Sequence, residues 1–136
     1  MMHTIVIGTI GSDAHVTGQF VIARTLQDAG FKVIRLGACV PQDEFIEAAI
    51  ESAASAILVS SLYGMGYFDC QGLREKCIEA GIGDIVLYVG GLLVSNREPF
   101  EETRQRFEQI GFNRAYPPET RPSELIVDLR NDLGPR

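Results

Sequence analysis

The 136 residues of this chain are 46% hydrophobic and 22% charged, the composition of a single globular domain (residues 1–136) that buries a core of its own. The formal net charge is −6 and no run of basic residues occurs, which argues against binding to the phosphate backbone of nucleic acid. Three cysteines without a Cys-x-x-Cys pair, and only two histidines, exclude a disulfide framework, a cysteine zinc site and a multi-histidine metal centre.

The first half of the chain alternates short β-branched runs with amphipathic segments. Residues 4–8 (TIVIG) and residues 32–36 are predicted strands. Residues 17–29 lie between them and are predicted to form a helix that ends at Gly30. The apolar face expected for this helix consists of Phe20, Ala23 and Leu26.

The second half continues this alternation. Its predicted strands are residues 56–60, 85–89 and 112–115. Its predicted helices are residues 68–80, residues 100–110 and a final helix that begins near Pro122. Cys70 and Cys77 share one face of the first of these helices, which predicts that both are core residues.

This pattern of elements belongs to the α/β class. Strands that alternate with helices predict a doubly wound, five-stranded parallel sheet with helices on both faces. The usual strand order for such a chain is the flavodoxin-like (Rossmann-like) order 2-1-3-4-5. Ligands of these sheets bind outside the carboxyl ends of the strands, where the strand order reverses between strands 1 and 3. The loops after strands 1, 3 and 4 are therefore expected to meet at one crevice.

Three unusual segments occupy those loops. The first, DAHVTG, places His15 two residues after Asp13, which could hold the second ring nitrogen that a metal-ligating histidine needs fixed. The second, SSLYG at residues 60–64, supplies hydroxyl groups, and the pair Gly90-Gly91 lets a ligand approach the backbone closely. Because one histidine cannot build a metal site, a metal would arrive inside a cofactor such as haem or cobalamin. The small-residue loops beside it predict a slot for a long, flat group.

Seven residues of these segments form three short motifs at matched strand ends. They are Asp13, His15 and Gly18 (DxHxxG), Ser60 and Leu62 (SxL), and Gly90 and Gly91 (GG). These motifs resemble those of the base-off, histidine-on cobalamin-binding family, and within it the chain is most similar to the small subunits of glutamate (methylaspartate) mutases. The likeness extends from IGSDAH through VSSLYG and DCQGLREKCIEAG to FNRAYPPET. It implies the cobalamin-binding subunit of an adenosylcobalamin-dependent isomerase that interconverts L-glutamate and threo-3-methylaspartate by a radical mechanism.

The resemblance implies that His15 is the lower axial ligand of the cobalamin cobalt, in place of the cofactor's own dimethylbenzimidazole. Asp13 would accept a hydrogen bond from the other imidazole nitrogen and so tune donation to cobalt. No catalytic residue is assigned to this chain, because these two residues act on the cofactor. Further residues expected to contact the cofactor are Ser12, Ala14, Val16, Ser61, Tyr63, Gly64, Leu92, Tyr116 and Pro117.

The remaining motif residues are implied to hold the displaced nucleotide tail of the cofactor. Gly18 would leave room for this tail between the first helix and the sheet. Ser60 would hydrogen-bond the buried base, and Leu62 would line its pocket. The pair Gly90-Gly91 would let the base pass the fourth strand.

The resemblance also implies a partner. None of the three loops carries an arginine cluster that could clamp two substrate carboxylates, so the chain is expected to be inactive alone. A larger, barrel-type mutase subunit would cover the upper face of the corrin, in a two-plus-two heterotetramer. The sequence offers no targeting or membrane-spanning segment, which predicts a cytoplasmic protein with neither membrane nor nucleic acid as a partner.

Two other interpretations stay open at this point. A cobalamin-binding module of another mutase, a corrinoid methyl carrier or a cobalamin sensor would bind the same cofactor. The upper ligand of cobalt would discriminate a mutase from a methyl carrier or a sensor, whereas another mutase would differ in the substrate that its partner reads. A flavodoxin-like or receiver-type domain would share the fold without the site. A receiver needs a phosphoacceptor aspartate at the end of strand 3, where this chain has Ser60 and Ser61.

Overall fold

The computed structural model describes residues 2–11, 17–61, 66–91 and 99–134. Its strands are β1 (Thr4–Thr9), β2 (Lys32–Arg35), β3 (Ala56–Ser60), β4 (Val86–Gly90) and β5 (Arg114–Tyr116). Its helices are α1 (Thr17–Asp28), α2 (Gln42–Ser52), α3 (Gly66–Cys70), α4 (Leu73–Glu79), α5 (Phe100–Gln109) and α6 (Pro122–Leu133). Within these ranges, every helix is too short or too polar to cross a membrane.

The strands form one parallel sheet in the order β2-β1-β3-β4-β5, which confirms the predicted fold class and strand order. The register places Thr9 beside Ser60, and Ser60 beside Gly90. The carboxyl ends of β1, β3 and β4 therefore lie side by side at one edge of the sheet.

The two faces of the sheet are covered by different helices, because successive side chains of a strand point to opposite faces. Ala23 and Leu26 of α1 pack with Leu125 and Leu129 of α6 on one face. The other face is larger and is covered by α2, α4 and α5. Its fully buried members include Phe45, Leu73, Phe107, Cys70 and Cys77, so the prediction that both cysteines are core residues is confirmed.

One core prediction for α1 is wrong. Phe20 is 56% exposed, and its ring lies against the guanidinium group of Arg35 with 5.1 Å between the ring centroid and Cζ. The inward stripe is instead Gln19, Ala23 and Leu26, which follow the i, i+4, i+7 spacing of one helix face. The buried position belongs to a glutamine because that residue finds hydrogen-bond partners there.

The helix predicted over residues 68–80 is interrupted. It divides into α3 and α4 at Gly72, whose φ of +85° lies in the left-handed region that favours glycine. The side-chain amide of Gln42 donates to the carbonyl oxygens of Asp69 (2.7 Å) and Gln71 (2.8 Å) beside this break. The last strand also begins at Arg114 rather than at residue 112.

Candidate functional site

A cavity of about 120 Å³ lies between the sheet and the helices α1 and α6, close to the carboxyl ends of the strands. Most of its lining is aliphatic or aromatic, and the hydroxyl groups there belong to serine, threonine and tyrosine. The larger side chains of the lining are Ile7, Ile22, Leu58, Tyr88, Tyr116 and Leu125. Such a lining suits a flat, largely apolar ligand that makes few hydrogen bonds.

Six of the residues that the sequence singled out line this one cavity although they come from four separate parts of the chain. They are Gly18, Ser60, Gly90, Gly91, Tyr116 and Pro117. A second, more open cavity of about 430 Å³ shares Tyr116, Pro117 and Thr120 with the first and continues along the start of α6. The two cavities therefore adjoin, and together they offer space for an extended group at this edge of the sheet.

Ser61 lies beside this cavity but not in its lining. It is fully buried, and its backbone N–H donates to the carbonyl oxygen of Gly90 at 3.0 Å. Its hydroxyl oxygen has no hydrogen-bond partner among the residues that the structure describes. The other predicted cofactor contacts lie outside the described residues: Ser12, Asp13, Ala14, His15, Val16, Leu62, Tyr63, Gly64 and Leu92.

Two glycines of the lining are not required by the folded chain itself. A Cβ atom at Gly18 would meet no atom within 4 Å, and one at Gly90 would lie 3.6 Å from Cβ of Tyr116, an ordinary contact. Neither residue has a positive φ. Gly8 differs, since its Cβ would lie 2.9 Å from the ring of Phe45. The space in front of Gly18 and Gly90 is thus free for a ligand, and this observation fits the displaced nucleotide tail of a cobalamin.

The aromatic wall of the cavity is held by hydrogen bonds to α6. The hydroxyl group of Tyr88 donates to Asp132, and that of Tyr116 donates to Asp128 at 2.6 Å. The guanidinium group of Arg114 lies 2.8 Å from Asp132 and 3.6 Å from Asp128. The two tyrosine rings meet edge to face with 5.5 Å between their centroids.

These contacts keep the wall neutral towards the cavity. Burial, followed by the hydrogen bond to its aspartate, raises the pKa of Tyr88 and likewise that of Tyr116. The hydrogen bond from Arg114 lowers the pKa of Asp132. Both hydroxyl groups therefore stay protonated donors to α6, and the rings present uncharged faces to whatever occupies the cavity.

His3, at the opposite edge of the sheet, already has hydrogen-bond partners at both ring nitrogens. Nδ1 of His3 lies 2.7 Å from the hydroxyl oxygen of Ser55, and Nε2 lies 3.2 Å from the carbonyl oxygen of Gly134. In the part of the chain that the structure describes, no group of three or more His, Cys, Asp or Glu side chains could hold a metal ion. His15, the other histidine of the sequence, lies outside the described residues.

One residue at this edge was missed by the sequence reasoning. Gln19 is fully buried beneath the first turn of α1, and both atoms of its amide make hydrogen bonds to neighbouring segments. The signal for it was a polar residue in phase with Ala23 and Leu26, directly after Gly18, the last residue of the DxHxxG motif. A polar residue at a core position is informative because it must find partners there.

Comparison with known families assigns this fold to a cobalamin-binding class of protein. A family model described as the B12 binding domain matches residues 3–109, and the chain belongs to this family. In fold it is similar to a cobalamin-binding protein from Desulfitobacterium hafniense DCB-2, with a TM-score of 0.79 and 19% identity over 98% of this chain and 60% of that one. It is similar also to the monomethylamine corrinoid protein of Methanosarcina barkeri, with a TM-score of 0.71 and 22% identity over 94% and 57% of the two chains.

Within the B12-binding family the chain groups with glutamate mutase sigma subunits. It is 51% identical to the one from Carboxydothermus hydrogenoformans over 96% of this chain and 95% of that one. It is 51% identical to the one from Fusobacterium nucleatum over 95% of each chain, and 46% identical to the one from Escherichia coli O157:H7 over 98% and 89%. The resemblance drawn from the DxHxxG, SxL and GG motifs is thereby confirmed at the level of the family.

A similar fold also occurs in a protein described as a signal receiver domain. The receiver domain of a putative response regulator, NarL of Mycobacterium tuberculosis, matches 99% of this chain with a TM-score of 0.70 and 15% identity. At such identities the likeness shows the fold alone. The distinction between these classes therefore depends on the residues at the carboxyl edge of the sheet.

Proposed function

We propose that this chain is the cobalamin-binding subunit of a glutamate mutase, which interconverts L-glutamate and threo-3-methylaspartate together with a larger catalytic subunit. The observation that carries the proposal is the meeting of Gly18, Ser60 and Gly90 at one apolar cavity. Relatives named glutamate mutase sigma subunits, similar over nearly their whole length, support the choice of this mutase over other cobalamin proteins.

The cavity would take the nucleotide tail of the cofactor. Its aromatic and aliphatic lining suits a benzimidazole, and the hydroxyl group of Ser60 at the end of β3 is available to bond a ring nitrogen. Gly18 and Gly90 would let this base lie against α1 and β4, since the folded chain does not otherwise need glycine there. The second cavity beside Tyr116 would receive the remainder of the tail.

His15 would hold the cobalt from below, and Asp13 would fix the tautomer of its imidazole. We infer that the cofactor is the adenosyl form, which supplies a carbon-centred radical through homolysis of its cobalt–carbon bond. The part of this chain is to bind the cofactor, to orient it and to keep its tail out of water.

The substrate would bind to the larger subunit. The described lining of the cavity contains no arginine, and Arg114 is paired with two aspartates of α6. A substrate with two carboxylates needs cationic partners, which a barrel-type subunit above the corrin would supply. We therefore propose that this chain alone has no mutase activity, and from its resemblance to glutamate mutase small subunits we propose a two-plus-two assembly.

Reconstitution tests this proposal. L-Glutamate is incubated with adenosylcobalamin and this chain, with the larger subunit, or with both, and threo-3-methylaspartate is followed by proton NMR. We expect product only when both chains are present, and no product when methylcobalamin replaces the adenosyl form. Turnover by this chain alone would contradict the assignment of the substrate site to the partner. Activity of the pair with methylcobalamin would contradict the requirement for the adenosyl form.

A further inference from the structure

Gln19 is fully buried in the first turn of α1 and joins this turn to neighbouring segments. We propose that Gln19 is a positioning residue that fixes this turn, and with it the end of the segment that carries His15, before the cofactor binds. This inference rests on the proposed function, because it supposes that His15 is the cobalt ligand. Gln19 itself would touch neither the cobalt nor the corrin.

The amide of Gln19 uses all of its hydrogen-bonding capacity. Its Nε2 donates to the hydroxyl oxygen of Thr9 at 2.7 Å and to the carbonyl oxygen of Gly37 at 2.8 Å. Its Oε1 accepts from Nε of Arg35 at 3.1 Å and from the backbone N–H of Gly37 at 3.2 Å. Two donors and two acceptors are the full set that a glutamine side chain offers. The residue is fully buried, so these bonds are shielded from water.

The partners of Gln19 come from three different segments. Thr9 is the last residue of β1, Arg35 is the last residue of β2, and Gly37 lies in the connection from β2 to α2. Arg35 also stacks on the ring of Phe20, so it holds the first turn of α1 at two successive residues. Bonds in several directions fix both the rotation and the position of the helix end, which a non-directional apolar contact does not do.

Apolar packing does not fix the position of the first turn of α1. Gly18 and Phe20 are exposed, and Ile22, which lines the cavity, is only partly buried against the core. Apolar burial of the helix begins with Ala23 and Leu26. A helix that crosses an open cavity needs another means of holding its first turn, and Gln19 provides it through the edge of β1 and β2.

The other side of the His15 segment is also held. Gly11, which precedes residues 12–16, donates its backbone N–H to Val40 at 3.0 Å. It has a φ of +73°, and a Cβ there would lie 2.4 Å from a carboxylate oxygen of Asp69. The chain on both sides of the segment therefore has fixed positions, one set by a close approach to α3 and one set by Gln19.

The test compares two variants. Gln19→Leu keeps the bulk of the side chain and removes all four hydrogen bonds. Gln19→Glu can still accept from Arg35 and from the backbone N–H of Gly37, but it has lost the N–H groups that donate to Thr9 and to the carbonyl oxygen of Gly37. Three quantities are measured on the full chain: the affinity for cob(II)alamin by absorbance titration, amide hydrogen exchange along α1, and the electron paramagnetic resonance spectrum of bound cob(II)alamin with nitrogen-15 in the histidines. Arg74→Met is the matched control, because Arg74 also makes four hydrogen bonds, to Gly83, Ile85, Gly111 and Asn113 at the opposite edge of the sheet.

We expect Gln19→Leu to weaken cobalamin binding by about 10-fold or more, the scale on which supporting residues of metal ligands act. Amides in the first turn of α1 should exchange faster, while those near Leu26 keep their protection. The doublet from a nitrogen-15 imidazole should weaken in favour of the triplet from the cofactor's own base. Gln19→Glu should lie between Gln19→Leu and the wild type, and Arg74→Met should lower the melting temperature without changing affinity or spectrum.

The outcomes separate the inference from the proposed function. A wild-type affinity and a full doublet in Gln19→Leu, even with a lower melting temperature, would reduce Gln19 to a structural residue and overturn the inference alone. A triplet in the wild-type protein would overturn the proposed function and the inference together. If Gln19→Leu does not fold, Gln19→Glu decides: unchanged affinity and unchanged exchange in the first turn of α1 would overturn the inference.

Discussion

On the face of the sheet covered by α2, α4 and α5, aromatic rings fill the space, whereas on the face covered by α1 and α6 a cavity of about 120 Å³ stays open. Phe107 packs edge to face against Tyr67 and Phe112, with 5.5 and 5.8 Å between ring centroids, and Phe45 closes over Gly8. The open face instead relies on hydrogen bonds at its borders, from Gln19 in α1 and from Tyr88 and Tyr116 to α6. The filled face stabilises the fold through packing, whereas the other face is less tightly packed and leaves space for a ligand.

The largest effect on stability is expected on the filled face. Phe107→Ala removes a fully buried ring from the aromatic cluster and should lower the free energy of unfolding by about 3–5 kcal/mol. Urea denaturation followed by far-ultraviolet circular dichroism measures this change. Cobalamin affinity of the folded variant should stay within twofold of the wild type. A large loss of affinity at full folding would mean that the two faces are not independent.

An added methyl group tests the same face in the other direction. Gly8→Ala forces the ring of Phe45 to move, since the new Cβ would lie 2.9 Å from it, and overpacking of this kind costs about 1–3 kcal/mol. We expect a lower melting temperature with unchanged cobalamin affinity. A variant as stable as the wild type would show that this face is less tightly filled than its contacts indicate.

The same methyl group on the open face should have the opposite pattern. Gly18→Ala adds a Cβ into free space on a helix, so stability should stay constant or rise by up to about 1 kcal/mol. Gly90→Ala makes only an ordinary contact with Tyr116 and should fold normally. Both variants should bind cobalamin more weakly, by about 10-fold, which corresponds to about 1.4 kcal/mol. Calorimetry and absorbance titration measure the two quantities, and unchanged affinity in both variants would remove the tail from this cavity.

The smallest effect is expected at the border between the sheet and α6. The pKa of Asp132 is lowered by its hydrogen bond from Arg114, so this carboxylate adds stability above its ordinary pKa of 3.8, and that stability is lost as the pH falls through the lower folded value. Asp132→Asn should therefore flatten the acid side of the stability profile, while Asp28→Asn, in an exposed pair with Arg24, should not. Urea midpoints at a series of pH values below neutral would show the difference. Parallel profiles for Asp132→Asn and the wild type would contradict the role given to Arg114.

Much of the fold could be predicted because its signals are local. The β-branched runs identified the first four strands, whereas the fifth (Arg114–Tyr116) contains no β-branched residue. Parallel crossovers then limited the strand order, so Ser60 and Gly90 could be expected at the same edge. Gly18 lies at the same cavity because α1, the helix that contains it, follows β1. These residues were found because their types are unusual for their positions.

What the sequence could not predict depends on partners distant in the chain. Gln19 was not singled out because its partners in β1 and after β2 are invisible to helical periodicity, and Phe20 was assigned to the core. The break at Gly72 was missed for a similar reason, because the side chain that bonds the carbonyl oxygens of Asp69 and Gln71 beside it is Gln42, which lies in another helix. The pairing of Tyr88 with Asp132 joins residues 44 positions apart.

We propose that a histidine of this chain replaces the cofactor's own base on cobalt, and that the displaced base binds in the cavity beside Gly18 and Gly90. The most direct measurement is the electron paramagnetic resonance spectrum of cob(II)alamin bound to the chain with nitrogen-15 histidine, in the presence of the unlabelled larger subunit. The account predicts a doublet splitting from one nitrogen-15 nucleus and its loss in His15→Ala. A triplet at saturation would mean that the cofactor keeps its own base, and the account of the cavity would be wrong.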